Sequence, residues 1–270
     1  MIHRFAMLVL LAWTLVALGG HWLPLQPDQV ALPDILETPD REHWLGADDL
    51  GRPVLDRLLV GAAVSFRVSM LVVGLSMLFG VLIGSAAAWY GGGAERVLVM
   101  VMDVFMAFPG ILLAIALAGL LGPGIDNLVF ALTLVGWVGY ARLARAQVMS
   151  VKQREHVQAA QALGTRSPRI IQRHLLPLIS APLVVEATFG IAAVVIAESG
   201  LSFLGLGVQP PDASWGSMIR DGVRYMLVAP HLVLAPGVAL MLVVLSVNLL
   251  GDQLRDWLDV RSGQRGQENR

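Results

Sequence analysis

The chain has 270 residues, of which 56% are hydrophobic and 14% charged, and its net charge at pH 7 is −1. Soluble domains carry about 25% charged residues, so this balance indicates a membrane protein and supplies no overall basic field for nucleic acid. Because the chain contains no cysteine, disulfides, iron–sulfur clusters and thiolate metal sites are excluded.

Six stretches of the sequence are apolar enough to be transmembrane helices, since a bilayer core takes about 20 apolar residues in a helix. They comprise residues 5–22, 66–90, 97–121, 125–143, 178–204 and 232–250. The first could instead be a cleaved signal peptide, because Arg4 precedes its apolar run, but no small-x-small cleavage pattern follows and an uncleaved anchor is favoured. We therefore predict an all-α integral membrane protein with six transmembrane helices.

Lys and Arg residues indicate which loops face the cytoplasm, where they are in excess. With the N-terminus inside, thirteen fall on the cytoplasmic side and six outside. The cytoplasmic set is Arg4, Arg96, Arg142, Arg145, Lys152, Arg154, Arg166, Arg169, Arg173, Arg255, Arg261, Arg265 and Arg270. The outside set is Arg41, Arg52, Arg57, Arg67, Arg220 and Arg224. The distribution predicts N-in/C-in topology, with the acid-rich loop 23–65 outside.

Small residues recur at every fourth position of the second span, namely Ser76, Gly80, Gly84 and Ala88. This spacing lets helix backbones approach closely in lipid, where packing drives association. The alternative is that these positions coincide by chance, in a span rich in Gly and Ala.

In the third span, Pro109 followed by Gly110 predicts a kink, which either acts as a hinge or fits the helix into its bundle.

A polar, arginine-rich run between the fourth and fifth spans, residues 155–177, reads EHVQAAQALGTRSPRIIQRHLLP and is called the elbow below. The fourth span is predicted to continue as a helix to Leu163, with Gly164 just past its end, where a left-handed backbone costs Gly little. Ser167 before Pro168 predicts an N-cap and the start of a second helix, which Pro177 closes. The elbow is thus predicted to be helix, sharp turn and short helix.

The elbow has two interpretations. Arg166, Arg169 and Arg173 share one face of its second helix, and they can be the solvated arginines of an ordinary positive-inside loop. An exposed loop has little reason to be ordered, however, and Ala159 and Ala160 add surface for close approach. The pattern therefore also suggests a docking surface for a cytoplasmic partner.

Two carboxylates, Glu186 and Glu198, lie well inside a span, and both are in the fifth. A charge at the bilayer centre costs about 2.5–3.5 kcal/mol, so each requires a partner, water or protonation. Their spacing turns them about 120° apart around a helix, which does not form a paired site. Each either bonds to a neighbouring helix or is a candidate for the pore or a subunit interface. Asp103 is a third candidate, although it more simply caps or pairs locally.

The elbow resembles the EAA loop of ABC importer permeases, whose pattern is E-A-A, three residues, Gly, nine residues and I-x-L-P. The spacing is intact here, with Gln158 in place of Glu and His174 in place of Ile. HWLGADDLGRPVLDRLLVGAAVSF (43–66) and ESGLSFLGLGVQPPDASWG (198–216) resemble signatures of the dipeptide/oligopeptide/nickel branch, except at Pro53, where an acidic residue is usual. DVFMAFPGILLAIAL and GDQLRDWLD match as well, so the resemblance covers nearly the whole chain.

The resemblance implies a type I ABC importer permease fold in the bacterial inner membrane. It divides the chain into an N-terminal helix with a periplasmic loop (1–64), a permease domain (65–254) and a cytoplasmic tail (255–270). The implied function is a pore-forming subunit that moves di- or oligopeptides by alternating access, with nickel as the alternative cargo. The implied coupling residues of the elbow are Gln158, Ala159, Ala160, Gly164, Arg166, Ser167, Arg169, Arg173 and Pro177.

The resemblance also implies the partners. They are a homologous second permease, two cytoplasmic ATPase subunits and a periplasmic or lipid-anchored substrate-binding protein, with membrane lipid around the pore. ATP and Mg²⁺ are expected in the ATPase subunits, and no cofactor, metal or catalytic residue is expected in this chain.

An ATP site of the P-loop type is excluded, because the single lysine, Lys152, has no Gly six positions before it and Gln153 after it. Energy must come from another chain or from an ion gradient, and a gradient-driven transporter using Glu186 and Glu198 is the alternative class. A membrane enzyme finds little support, since the six histidines are scattered without HExxH spacing. His43, outside, can touch substrate or metal in a nickel system, but a lone exposed histidine is more often structural.

Overall fold

The computed structural model describes residues 2–41 and 43–268, and the named elements over that range are helices. They are α1 (Ile2–Gly19), α2 (Val54–Tyr90), α3 (Gly92–Met106), α4 (Gly110–Leu121), α5 (Ile125–Lys152), α6 (Glu155–Ala162), α7 (Ser167–Ile170), α8 (Leu176–Phe203), α9 (Trp215–Val223) and α10 (His231–Glu268). Short 3₁₀ turns lie at Gly20–Trp22 and Leu32–Asp34, and a π turn at Ile171–Leu175. The all-α prediction is confirmed.

Five of these helices, α1, α2, α5, α8 and α10, are each long and apolar enough to cross a membrane. The pair α3 and α4 meets the same test together, but it is bent by 86° at its break. Pro109 lies in the break and has no amide to continue α3, while its carbonyl accepts the Leu113 amide at 3.1 Å at the start of α4. The predicted kink is confirmed, and six spans result when the bent pair counts as one.

Three helix limits differ from the hydropathy prediction. α2 begins at Val54, so the outer loop is shorter than residues 23–65. Its first turn carries charges that bond to the loop: Asp56 accepts the Gln26 amide at 2.8 Å, and hydropathy alone cannot detect such partners. α5 ends at Lys152 rather than continuing to residue 163. α10 runs without a break into the tail 255–268.

The described residues pack as two compact units. The first comprises residues up to Val72, Ala114–Leu132 and Ile191–Leu250, and the second comprises Val73–Leu113, Thr133–Gly190 and the residues from Gly251 onward. The core of the first unit is built around Trp13 and Trp215, whose rings lie 6.4 Å apart. Each indole N–H finds a backbone acceptor, Trp13 on Ala62 and Trp215 on Leu58, both at 3.0 Å. The buried aromatics are thereby oriented as well as packed.

In the second unit, α2 lies against α5 with almost no side-chain volume between them. The contact surface on α2 includes the four buried small residues Ser76, Gly80, Gly84 and Ala88. A Cβ on Gly80 would lie 2.5 Å from the Trp137 carbonyl oxygen, and one on Gly84 would lie 2.3 Å from that of Ala141. These distances are shorter than any Cβ contact allows, so the two backbones approach this closely only because the residues are glycine.

Candidate functional site

The elbow folds as two arms joined by a tight turn. α6 ends in a Schellman pattern, in which the Thr165 amide donates to the Ala160 carbonyl at 3.1 Å and the Gly164 amide to the Gln161 carbonyl at 2.9 Å. Gly164 has a φ of 76°, the left-handed conformation predicted for it. The turn therefore satisfies the last carbonyls of α6 within its own backbone.

The second arm differs from the prediction at both ends. The Arg166 carbonyl accepts the amides of Arg169 and Ile170 at 3.0 and 3.2 Å, so the N-cap is Arg166 and not Ser167. Pro177 does not close the arm, because α7 continues through the π turn into α8 and Pro177 is the second residue of α8. The π turn rearranges the hydrogen-bond ladder where proline has no amide to donate.

Most of the elbow residues selected from the sequence are exposed. They are Gln158, Ala159, Gly164, Arg166, Arg169, Arg173 and Pro177, while Ala160 and Ser167 are half-buried. Leu163, which no sequence motif singles out, is 86% exposed at the end of α6. The elbow thus presents an apolar tip beside arginines, the mixed character of a protein-binding surface.

Buried side chains hold this surface in place. Val157 in the first arm is 0% exposed, and Ile170 and Leu175 in the second arm are 1% and 0% exposed. These residues face the protein interior while the arginines face outward, so the elbow is an ordered part of the second unit. An ordinary solvated loop needs no such anchors.

Glu198, a pore candidate from the sequence, is fully buried in the first unit. The hydroxyls of Ser65 on α2 and Ser202 on α8 donate to its two carboxyl oxygens at 2.9 and 2.8 Å, and Ser199 donates at 3.3 Å. Ser202 in turn accepts the Val208 amide at 3.3 Å. This is the alternative in which a glutamate bonds to a neighbouring helix, and the Ser65 partner was not recognised in the sequence because it lies 133 residues before Glu198 in the chain.

Glu186 and Asp103 are both exposed. Glu186 lines a cavity of about 520 Å³ in the second unit, together with Pro182, Phe189 and Arg255. Asp103 lies near the end of α3, where its backbone carbonyl accepts the Ala107 amide at 3.0 Å. Their assignment to a pore or an interface stays a prediction.

A charged network fixes the outer loop to the first turn of α2. The Arg57 side chain, 5% exposed, donates to the Pro27 carbonyl at 3.1 Å and lies 3.5 Å from the Asp48 carboxylate. Arg52 binds the same carboxylate at 2.7 Å. Burial raises the pKa of Asp49, and the charge of neighbouring Asp48 raises that pKa further. Ion pairs among charged residues of the stretch 43–66 therefore hold the outer loop against the first turn of α2.

The outer loop also gathers three side chains that can ligate a metal. His43 Nδ1 lies 3.2 Å from Glu37 Oε2, and one ligand atom from each of Asp34, Glu37 and His43 falls within 4.8 Å of the others. All three residues are half-buried. From the sequence alone His43 is a lone histidine, because the spacing of Asp34, Glu37 and His43 matches no metal motif. Only the folded loop brings the three residues together.

Comparisons with known proteins agree along most of the chain. Residues 80–263 match the family described as binding-protein-dependent transport system inner membrane component. The dipeptide transport system permease protein DppC of Alkalihalophilus pseudofirmus is 41% identical over 83% of this chain and 74% of its own length. The nickel transport system permease protein NikC of Escherichia coli K12 is 39% identical over 95% and 93%.

Two further comparisons extend these matches. The glutathione transport system permease protein GsiD of Pectobacterium atrosepticum is 40% identical over 83% of this chain and 74% of its own length. A solved chain of the MetNI methionine ABC transporter, in inward-facing conformation, superposes with a TM-score of 0.61 over 76% of this chain and 97% of its own. At 18% identity, that likeness concerns the fold alone.

Proposed function

This chain belongs to the family of binding-protein-dependent transport system inner membrane components, and we propose that separate ATPase subunits drive it through the elbow. It is an ABC importer permease of the branch named for peptides, nickel and glutathione, with a type I fold, in the bacterial inner membrane. Its relatives are transport subunits rather than enzymes, and such permeases normally carry no cofactor. The family implies an ATPase and a substrate-binding partner.

One observation carries the coupling proposal: an exposed surface of arginines and Leu163 stands on buried anchors. The exposed residues supply contact area and positive charge, and the anchors Val157, Ile170 and Leu175 transmit any force on them to the helices. The elbow thereby fits a groove on a cytoplasmic ATPase that binds ATP and Mg²⁺. Because its single lysine lies in no P-loop, this chain has no ATP site of that type, and energy from ATP has to reach it through another chain.

The continuity of α7, the π turn and α8 supports alternating access. Because no residue between Ser167 and Phe203 ends the helical path, a displacement of the elbow passes directly into the fifth span. On this proposal, ATP binding draws the elbows of two homologous permeases together, which shuts the cytoplasmic side and opens the outside. Hydrolysis then resets both chains.

Di- and oligopeptides are the proposed cargo, delivered by a periplasmic or lipid-anchored binding protein. The relatives named for dipeptides, peptides and glutathione support peptides, since glutathione is itself a tripeptide. The NikC match over 95% of this chain supports nickel as the second candidate. Titration of the associated binding protein with di- and tripeptides and with Ni²⁺ decides between them.

The coupling proposal is tested by purifying the tagged chain in mild detergent and assaying co-purified ATPase activity. Replacing Arg166, Arg169 and Arg173 together by Ala removes the basic part of the surface without touching a span. We expect the ATPase to be lost while the amount and detergent solubility of the chain stay unchanged. Arg96→Ala is the matched control, since Arg96 is an exposed arginine outside the elbow.

Equal recovery of the ATPase with the triple variant and with Arg96→Ala would contradict docking through these arginines. A chain that purifies alone, without ATPase or second permease, would favour the gradient-driven alternative. In that case Glu186 becomes the carboxylate to test first, since the oxygens of Glu198 are already taken by serines.

A further inference from the structure

We propose that Asp34, Glu37 and His43 form a binding site for one divalent transition-metal ion on the outer loop. The site is separate from the elbow and does not depend on the cargo. Its three side chains come from one short loop, on the side predicted to face the periplasm, where a metal ion can enter from solvent because all three residues are partly exposed.

The distances suit a shared ion. Nitrogen and oxygen ligands at about 2.1 Å from a tetrahedral metal lie roughly 3.4 Å from each other. His43 Nδ1 and Glu37 Oε2 lie 3.2 Å apart, and the third ligand atom, from Asp34, is within 4.8 Å of both. The Nδ1 atom is shielded from solvent, and its contact with Glu37 Oε2 has the distance of an ion pair but not the geometry of a hydrogen bond.

Backbone hydrogen bonds hold the ligand-bearing segments in this arrangement. The Glu37 amide donates to the Asp34 carbonyl at 3.0 Å, which sets the two carboxylate residues in one turn. The Glu37 carbonyl accepts the Ala47 amide at 3.0 Å, and the His43 carbonyl accepts the Gly46 amide at 2.8 Å. These bonds tie the turn carrying the carboxylates to the turn carrying the imidazole.

The ligand set selects the class of metal. One imidazole with two carboxylates suits Zn²⁺, Ni²⁺ and related first-row ions, whereas Mg²⁺ and Ca²⁺ prefer ligands that are all oxygen. Three protein ligands leave at least one position for water or for an external ligand. A bound ion would cross-link the two turns and fix the outer loop, on the side predicted to face the periplasm.

The test uses the full-length chain, purified with a tag that contains no histidine and stripped of metal with a chelator. Equilibrium dialysis against Zn²⁺, Ni²⁺ and Mg²⁺, followed by elemental analysis, gives the number of ions bound. We expect one Zn²⁺ or Ni²⁺ per chain and no stoichiometric Mg²⁺. His43→Ala, and Asp34→Asn combined with Glu37→Gln, should each weaken binding about tenfold or more.

The controls are His3→Ala and Asp212→Asn, which change an exposed histidine and an exposed carboxylate outside the cluster. Binding that is the same in the cluster variants as in these controls would overturn the site and leave a simple His43–Glu37 ion pair. The amount of each variant and its monodisperse peak on size-exclusion chromatography report folding without reference to any partner. Co-purification of the ATPase separates failure of the metal site from failure of the proposed coupling, since the two use different parts of the chain.

Discussion

At the level of single residues, Glu198 illustrates how a carboxylate is accommodated inside an apolar bundle. Its two oxygens accept hydrogen bonds from Ser65, Ser199 and Ser202, and one of these serines lies on a different helix. A buried polar group is tolerated when it is hydrogen-bonded and costly when it is not. Glu198 therefore joins α2 to α8, and both of its carboxyl oxygens accept serine hydroxyls.

Replacing Glu198 by Ala should consequently destabilise the protein. The change leaves three buried hydroxyls without their acceptor, and the expected loss in the free energy of unfolding is about 2 kcal/mol or more. The temperature midpoint at which the monodisperse peak on size-exclusion chromatography in detergent is lost should fall accordingly. Glu186→Ala, at an exposed position, is the control and should leave the midpoint unchanged. Equal midpoints for both variants, with transport lost only in Glu198→Ala, would instead assign Glu198 to the pore.

At the level of helices, the approach of α2 to α5 depends on glycine. Gly84→Ala would place a methyl group 2.3 Å from the Ala141 oxygen, so the helices must separate, at a cost of about 1–3 kcal/mol. Gly74→Ala is a matched control on the same helix, because a Cβ there meets nothing within 4 Å and Ala favours the helix by up to about 1 kcal/mol. Thermal unfolding in detergent should rank Gly74→Ala at or above the parent and Gly84→Ala below it. The reverse order would refute this packing.

The turn of the elbow provides a second prediction for helices. Gly164 has a φ of 76° and open space around it, so Gly164→Ala is opposed only by the left-handed backbone, at about 1–2 kcal/mol. Because the free elbow can relax out of this turn and has to adopt it again on docking, that cost should weaken binding of the ATPase about 5- to 30-fold, as measured by titrating purified ATPase against the permease. Gly164→Asn, which tolerates the left-handed region, should bind close to the parent. Unchanged affinity for Gly164→Ala would mean that the turn geometry does not matter for docking.

At the scale of the whole molecule, sequence patterns predicted the structural features that depend on residues close together in the chain. Hydropathy predicts the six spans, and the missing amide of Pro109 predicts the kink. The absence of a side chain on Gly164 predicts its left-handed backbone. The early start of α2 did not follow, because its first turn is stabilised by contacts with a distant loop. The exposure of Leu163 was not predicted, because a leucine beside helix formers is typical of a buried position. Only the folded elbow shows that this side chain is exposed.

The metal-ligating cluster was missed for a related reason. Its residues are brought together by irregular turns, whose course depends on backbone bonds that no periodic pattern announces. The same holds for Ser65, which lies on α2 and meets Glu198 on α8 only in the folded chain. Sequence patterns thus identified the family-specific elbow, while tertiary folding decides which polar residues meet elsewhere.

Site-directed cross-linking at the elbow tests the central claim most directly. Because the chain has no cysteine, Leu163→Cys introduces a single thiol for a photoactivatable cross-linker, and Trp44→Cys, on the outer loop and 73% exposed in the parent, is the control. We predict that illumination of the assembled transporter joins this chain to the ATPase subunit from the elbow position and not from the outer-loop position. An ATPase adduct from both positions, or from neither while the ATPase co-purifies, would contradict coupling through the elbow.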